Sequence, residues 1–190
     1  MSSADLPLFT IGHSNRTLGQ FLDLVSESGI ELIVDVRRVP GSTRYPQFNA
    51  DILASSLDEA SVSFRRLEGL TGRRPASKEV PFEVNAWWEN RSFHNFADHA
   101  LSEEFRSALN KLREWARSQR TAVMCSEVLW WRCHRRIIAD HLLAHREDVR
   151  HIVKGNHVES AQLSAGAVVG PDASVTYPAV EKEHQPSDAT

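Results

Sequence analysis

The chain has 190 residues, a formal net charge of −3, 41% hydrophobic side chains and 25% charged ones. This composition fits one soluble globular domain with a real core, and it excludes a protein that grips extended duplex nucleic acid by overall basicity. No apolar run approaches the roughly 18 residues of a membrane span, and two cysteines in such a chain point to reduced thiols in a cytoplasm rather than a disulfide scaffold.

The opening MSSADLPLF lacks a basic start followed by a long apolar core, so no signal peptide is expected. PLFTIG reads as a buried strand ending at Gly12, with His13, Ser14, Asn15 and Arg16 beyond it. In TLGQFLDLVSESG, Leu18, Phe21, Leu22 and Val25 recur at helical spacing, Thr17 is the N-cap and Gly29 the stop. IELIVDV is continuous and β-branched, as a strand covered on both faces should be, and it closes on Asp35, Arg37 and Arg38.

After a loop rich in Pro and Gly, DILASSLDEA predicts a short helix with Ile52, Leu53 and Leu57 on one side. VSFRRL predicts a third strand, followed by Glu68. Residues 68–100 are polar and aromatic without a clear period and read as an irregular excursion. SEEFRSALNKLREWARS predicts a helix that Ser102 caps, with Glu103 and Glu104 at its positive end and Phe105, Leu109, Leu112 and Trp115 on its buried face. TAVMCS is strand four, closing on Cys125 and Glu127. CHRRIIADHLLAH is a helix, and VRHIVKG strand five. From residue 166 the composition turns to Ala, Ser, Pro, Asp and Glu without periodicity, so a single α/β domain is expected over 6–165 and a disordered tail over 166–190.

Strands alternating with helices imply a three-layer α/β fold of about five mostly parallel strands with helices on both faces. Ligands of such sheets bind beyond the carboxyl ends of the strands. Those ends carry unusually reactive residues here, which predicts one polar crevice lined by His13, Asp35, Cys125, Glu127, Cys133 and His134.

Several stretches also resemble a known family. TIGHSNRTLGQFL, LIVDVRRVPGSTRYPQFN, NRSFHNFADH and MCSEVLWWRCHRRIIADHLL, in this order, are similar to the family catalogued as domain of unknown function 488, over about Leu8 to Ala167. VRHI and His157 fit its usual ending. The resemblance implies a fold and a site but no reaction. Within FHNFAD, His94 and Asn95 stand where members often carry Arg and Gly, and Ser126 stands where Ala is more usual.

Four chemistries compete for AVMCSEVLWWRCHRRIIADHLL. A metal site would draw on Cys125, Cys133 and His134 with His13 or Glu127, but Cys-x7-Cys-His lacks the short paired spacings of structural zinc. A nucleophile would be Cys125, at a strand end as in phosphatases and rhodaneses, or Cys133, at the helix N-terminus, which favours a thiolate. The phosphatase spacing is not met, because six residues separate Cys125 from Arg132, one too many. An anion pocket would combine the free N–H groups of that helix with Ser14, Arg16, Arg37, Arg38, Trp131, Arg132 and Arg135.

Fourth, aromatic residues interleaved with arginines, among them Trp87, Trp88, Phe93, Phe96, Trp130 and Trp131, can stack unpaired bases or simply pack the excursion. GLTGRRP is either a second phosphate-contact loop or a turn. Asp35 or Glu127 is the candidate general acid or base. The resulting expectation is an enzyme acting on a phosphate-containing substrate, a nucleotide or nucleic acid. A non-catalytic nucleotide-binding module and a divalent-metal site are the alternatives. The expected partner is an anionic small molecule or nucleic acid, not a membrane.

Overall fold

The computed structural model describes residues 6–155 and 157–179. The first residues of the stretch read for a signal peptide, 1–5, and residues 180–190 lie outside the described residues. The elements in chain order are β1 (Leu8–Gly12), α1 (Leu18–Glu27), β2 (Leu32–Asp35), α2 (Ala50–Glu59), β3 (Ser63–Arg66), α3 (Arg91–His99), α4 (Glu103–Ala116), β4 (Thr121–Cys125), α5 (Arg135–Ala144), β5 (Val149–Lys154), β6 (His157–Ser160), β7 (Val168–Val169) and β8 (Val175–Thr176). No helix among the described residues is long and apolar enough to cross a membrane.

Six strands form one sheet in the order β3-β2-β4-β1-β5-β6, with every pair parallel except β5·β6. β1, β2 and β4 are buried along their whole lengths because helices cover both faces, which is why their sequences are apolar runs rather than alternations. Successive residues point to opposite faces: Leu32 and Val34 join the core beneath α4 and α5, whereas Ile33 joins Phe21, Leu24 and Val25 of α1 and Leu53 and Leu57 of α2. The result is the expected three-layer α/β arrangement.

Local signals account for several boundaries. Thr17 and Gln20 form a reciprocal capping box at α1, Gly29 follows the helix at φ 61°, and the Ser102 side chain accepts from Phe105 N at the start of α4.

Four differences have physical causes. The excursion over 68–100 contains α3, capped by Asn90, whose side chain accepts from the N–H groups of Ser92 and Phe93. A sixth strand, β6, pairs antiparallel with β5 as a hairpin. Ile52 is 42% exposed, so only Leu53 and Leu57 face the core from that helix.

Fourth, the first part of the expected tail is ordered. β7 and β8 pair, and Tyr177 is 0% exposed against Trp87 and Trp88. The Tyr177 hydroxyl donates to Asp140 Oδ2 of α5 at 2.8 Å, while Ser164 N donates to Oδ1 at 2.9 Å. Burial raises the Asp140 pKa, and these donors oppose the rise. Tyr177→Phe is therefore expected to cost about 1.5–3 kcal/mol in denaturant unfolding, the worth of a hydrogen bond to a charged group.

Two core histidines add a pH dependence. His151 lies between the Thr10 hydroxyl, 2.7 Å from Nδ1, and the Trp130 ring, stacked at 4.1 Å. Nε2 of His151 and of His141 is buried without a partner. Burial lowers the His141 pKa from 6.5 to about 3; burial and then Arg135 lower that of His151 from 6.5 to about 4. The unfolded chain binds more protons in this window, so stability is full above pH 6.5 and falls as the pH drops toward 4. Each histidine contributes a slope of ~1.4 kcal/mol per pH unit. Denaturation midpoints from pH 7 to 5 check this, and His151→Asn should flatten the slope.

Candidate functional site

Three neighbouring parallel strands end at one level and set the floor of a crevice of about 680 Å³, within the usual range for ligand sites. Gly12 of β1 is in register with Cys125 of β4; beyond them His13 N donates to Cys125 O at 3.0 Å and Ser14 N to Ser126 O at 2.9 Å. On the other side of β4, Val36 N donates to Met124 O at 3.0 Å. The adjacency of β1 and β4 brings His13 and Cys125 into the same crevice, and the turn out of β2 adds Arg37. The walls come from Arg38, Val39, Gly41, Ser42 and Tyr45 after β2, from Gly72 and Arg73, from Asn90, Ser92 and Phe93 at the start of α3, and from Ser126, Glu127 and Arg132 to His134 before α5.

At the floor, Cys125, Cys133 and His134 offer one donor atom each within 4.8 Å of one another. His134 Nε2 lies 3.1 Å from the Leu70 carbonyl, which can only accept, so Nε2 carries the proton and Nδ1 faces Cys133 Sγ at 3.6 Å. Arg135 Nε donates to the same sulfur at 3.4 Å, and Arg135 Nη2 to the Glu127 carbonyl.

The two thiols are driven apart in acidity. The Cys133 pKa is pushed well down, first by the Cys125 S–H donating to its sulfur and then by Arg135 and His134, against the effect of burial. The same hydrogen bond, together with burial, pushes the Cys125 thiol up. Of the two thiols, Cys133 is therefore the one that ionises more readily.

Arg135 gives an independent reason. It is 1% exposed, and among the described residues no carboxylate lies within salt-bridge distance of it. A buried guanidinium without an anion is costly, and a Cys133 thiolate is the nearest available one.

The second buried arginine is compensated differently. Arg37 Nη2 donates to Asp35 Oδ2 at 2.7 Å and Nε reaches both carboxylate oxygens, while Nη1 donates to the Phe48 carbonyl at 2.7 Å. His13 Nδ1 donates to Ser14 O at 2.9 Å, leaving Nε2 toward Arg37 Nη1 at 3.3 Å, and its ring stacks on Phe48 at 4.2 Å. Burial, then Arg37, lowers the His13 pKa from 6.5 to about 4, so this imidazole is neutral at pH 7 and its lone pair is engaged.

Of the residues expected in the crevice, His13, Arg37, Arg38, Cys125, Glu127, Arg132, Cys133 and His134 line it. Asp35, Ser14, Arg16, Trp131 and Arg135 do not. Asp35 is 0% exposed beneath Arg37 and is spent as its counterion. Arg16 donates to the carbonyls of Gly12 and Val153, so it ties β1 to β5, and it lies with Ser14 in a separate surface groove. Trp131 is 43% exposed outside the crevice. Arg135 acts from beneath the floor through the sulfur.

Most of the expected stacking residues are packing residues. Trp88 stacks on Phe93 and packs with Trp87 on Tyr177; Trp130 covers His151 and donates to Glu159 at 3.1 Å. His94 and Asn95 bind the Phe82 and Arg74 carbonyls, so those two positions brace the excursion. Chain pattern alone missed Tyr45, Asn90 and Ser92. The N-cap signature Asn90-x-x-Phe93 was the one local signal for the last two.

A soft or borderline metal ion such as zinc suits the donor chemistry of Cys125, Cys133 and His134. The charge around them is positive, which opposes a further cation. Arg135 already donates to one sulfur, and Arg37, Arg38, Arg73 and Arg132 line the same space.

Over residues 17–142 the chain matches the family described as Domain of unknown function DUF488, and it belongs to that family. No curated protein and no solved structure is detectably similar to it.

Gly72 supplies a test of the dyad. A Cβ there would sit 2.8 Å from His134 Nδ1 and 3.1 Å from Cε1, so Gly72→Ala must push the ring away. Alkylation of Cys133 by iodoacetamide, followed by mass spectrometry between pH 5 and 8, is expected to slow by about tenfold below pH 7, the scale of one lost hydrogen bond. An unchanged rate would remove His134 from the activation of the thiol.

Proposed function

We propose that this member of the DUF488 family is a thiol-dependent enzyme acting on a phosphate-containing substrate of nucleotide class, with Cys133 as nucleophile and His134 as its proton acceptor. The observation that carries this reading is the arrangement around one sulfur: the Arg135 guanidinium at 3.4 Å, the His134 Nδ1 at 3.6 Å, and the Leu70 carbonyl fixing the tautomer of that imidazole. Nucleophile, base and a third group orienting the base are the parts that covalent catalysis requires.

The remaining roles follow from position and charge. Arg38, Arg73 and Arg132 line the crevice and have no carboxylate partner among the described residues, so they are the groups available to an anion. Guanidinium forks suit the bidentate geometry of a phosphate. Val39, Tyr45 and Phe93 give the same crevice an apolar rim, which suits an anion carrying a flat ring, as a nucleotide does. Glu127 Oε1 accepts from Leu129 N at 3.1 Å, and the carboxylate lines the crevice, so Glu127 is the candidate to protonate a leaving group. Asp35 has no such role, because its charge is committed to Arg37.

Thermal shift with nucleotides, sugar phosphates and short single-stranded oligonucleotides tests the reading. One phosphate class is expected to raise Tm of the wild type, and Arg38→Ala with Arg132→Ala to abolish the rise. Cys133→Ser should still bind that ligand yet fail to convert it. Turnover by Cys133→Ser at the wild-type rate would reduce the protein to another mechanism, and binding without turnover by the wild type would make it a binding module. No shift with any phosphate ligand would sink the reading.

A further inference from the structure

We infer that Cys125 is the resolving thiol of Cys133, so that a hydroperoxide converts the two to an intramolecular disulfide. The inference rests on the reading of Cys133 as the reactive thiolate and adds a second chemistry to that site. The chain's two cysteines both line one crevice. Their sulfurs lie within 4.8 Å of each other, with no side chain of another residue needed to bridge them.

Backbone geometry lets the gap close to the bond length near 2 Å that a disulfide needs. Cys133 is extended at φ −127° and ψ 148°, between the short 3₁₀ turn Trp130–Arg132 and the first residue of α5. Its N–H donates to Trp130 O at 3.2 Å and its carbonyl accepts from Arg136 N at 3.0 Å, the two bonds that a shift toward β4 must loosen. Cys125 is the last residue of its strand and is held there by pairing with Gly12 and His13, so the motion belongs to Cys133.

The chemistry balances in two steps. The Cys133 thiolate attacks one peroxide oxygen, the O–O bond breaks, and the leaving alkoxide or hydroxide takes a proton to become alcohol or water. Cys133 is now a sulfenic acid. The Cys125 sulfur then attacks the sulfenic sulfur, the S–O bond breaks, and the departing hydroxide takes the Cys125 proton to become a second water. The sum is two thiols and one hydroperoxide giving one disulfide, one alcohol or water, and one water. Two protein sulfurs are oxidised and the peroxide is reduced. A dithiol reverses the product. Because the nucleophile is consumed, oxidation switches the crevice off, and because the disulfide forms from the sulfenic acid, it spares Cys133 irreversible oxidation to sulfinic acid.

The test titrates the intact chain with hydrogen peroxide and reads free thiols and intact mass. The wild type is expected to lose both thiols together and two hydrogens in mass, to remain a monomeric species on a non-reducing gel, and to recover with dithiothreitol. Cys125→Ser and Cys125→Ala should stop at a sulfenic acid that dimedone traps, then proceed to sulfinic acid. Sulfinic acid on wild-type Cys133 with Cys125 still titrating as a thiol overturns the inference, as do two thiols that both survive stoichiometric peroxide. Neither readout uses a phosphate ligand. A protein that converts a phosphate substrate but never forms the disulfide loses only this inference, and one that forms the disulfide but binds no phosphate loses only the anion reading.

Discussion

A guanidinium buried without a carboxylate is the constraint around which this site is built. Arg135, among the largest fully buried side chains, starts α5 and reaches back under the sheet ends. Its hydrogen bonds to the Glu127 carbonyl and the Cys133 sulfur join the segment after β4 to the entrance of α5. Losing either acceptor would leave this buried charge less compensated. Gly12 belongs to the same constraint. A Cβ there would stand 2.0 Å from the Glu127 carbonyl oxygen, so any side chain at position 12 would drive away the acceptor that Arg135 uses.

The positive field has consequences for every titratable group nearby. His13 and His151 are buried at the edges of this region; Arg37 and Arg135 add to the desolvation that keeps His13 neutral, and Arg135 does so for His151. Cys133 responds in the opposite direction, because a thiol becomes charged by losing a proton and cationic neighbours favour that loss. One arrangement of arginines therefore suppresses imidazolium and promotes thiolate. The same field disfavours a divalent cation on Cys125, Cys133 and His134, although their spacing suits one.

How legible this was in the sequence depends on range. Strand and helix signals are local, so Thr17, Gly29 and Ser102 could be read directly from residue type and spacing. The crevice was legible because the rule about strand ends is topological and needs only element order. What escaped was pairing. Asp35 and Arg37 are two residues apart, yet nothing in DVR says that the guanidinium turns back onto the carboxylate instead of facing a ligand. Arg16 and Arg135 look like anion binders for the same reason, until backbone carbonyls are seen to occupy them. The tail misled through composition. Tyr177 is one aromatic residue in a polar stretch, and its burial depends on Asp140, Trp87 and Trp88, which sequence distance keeps out of any local window.

That last contact bears on the site as well as on the fold. Asp140 lies on α5, between the Tyr177 hydroxyl and Ser164 N, while Arg136 of the same helix donates to Ser164 Oγ at 2.8 Å and lies over the ring of Trp88 at 5.0 Å. The segment 164–177 thus straps the first half of α5, whose first residue, Arg135, reaches the sulfur. Trp88 stacks in turn on Phe93, which lines the crevice at the start of α3. A stretch with the composition of a loose tail is therefore packed behind two walls of the site.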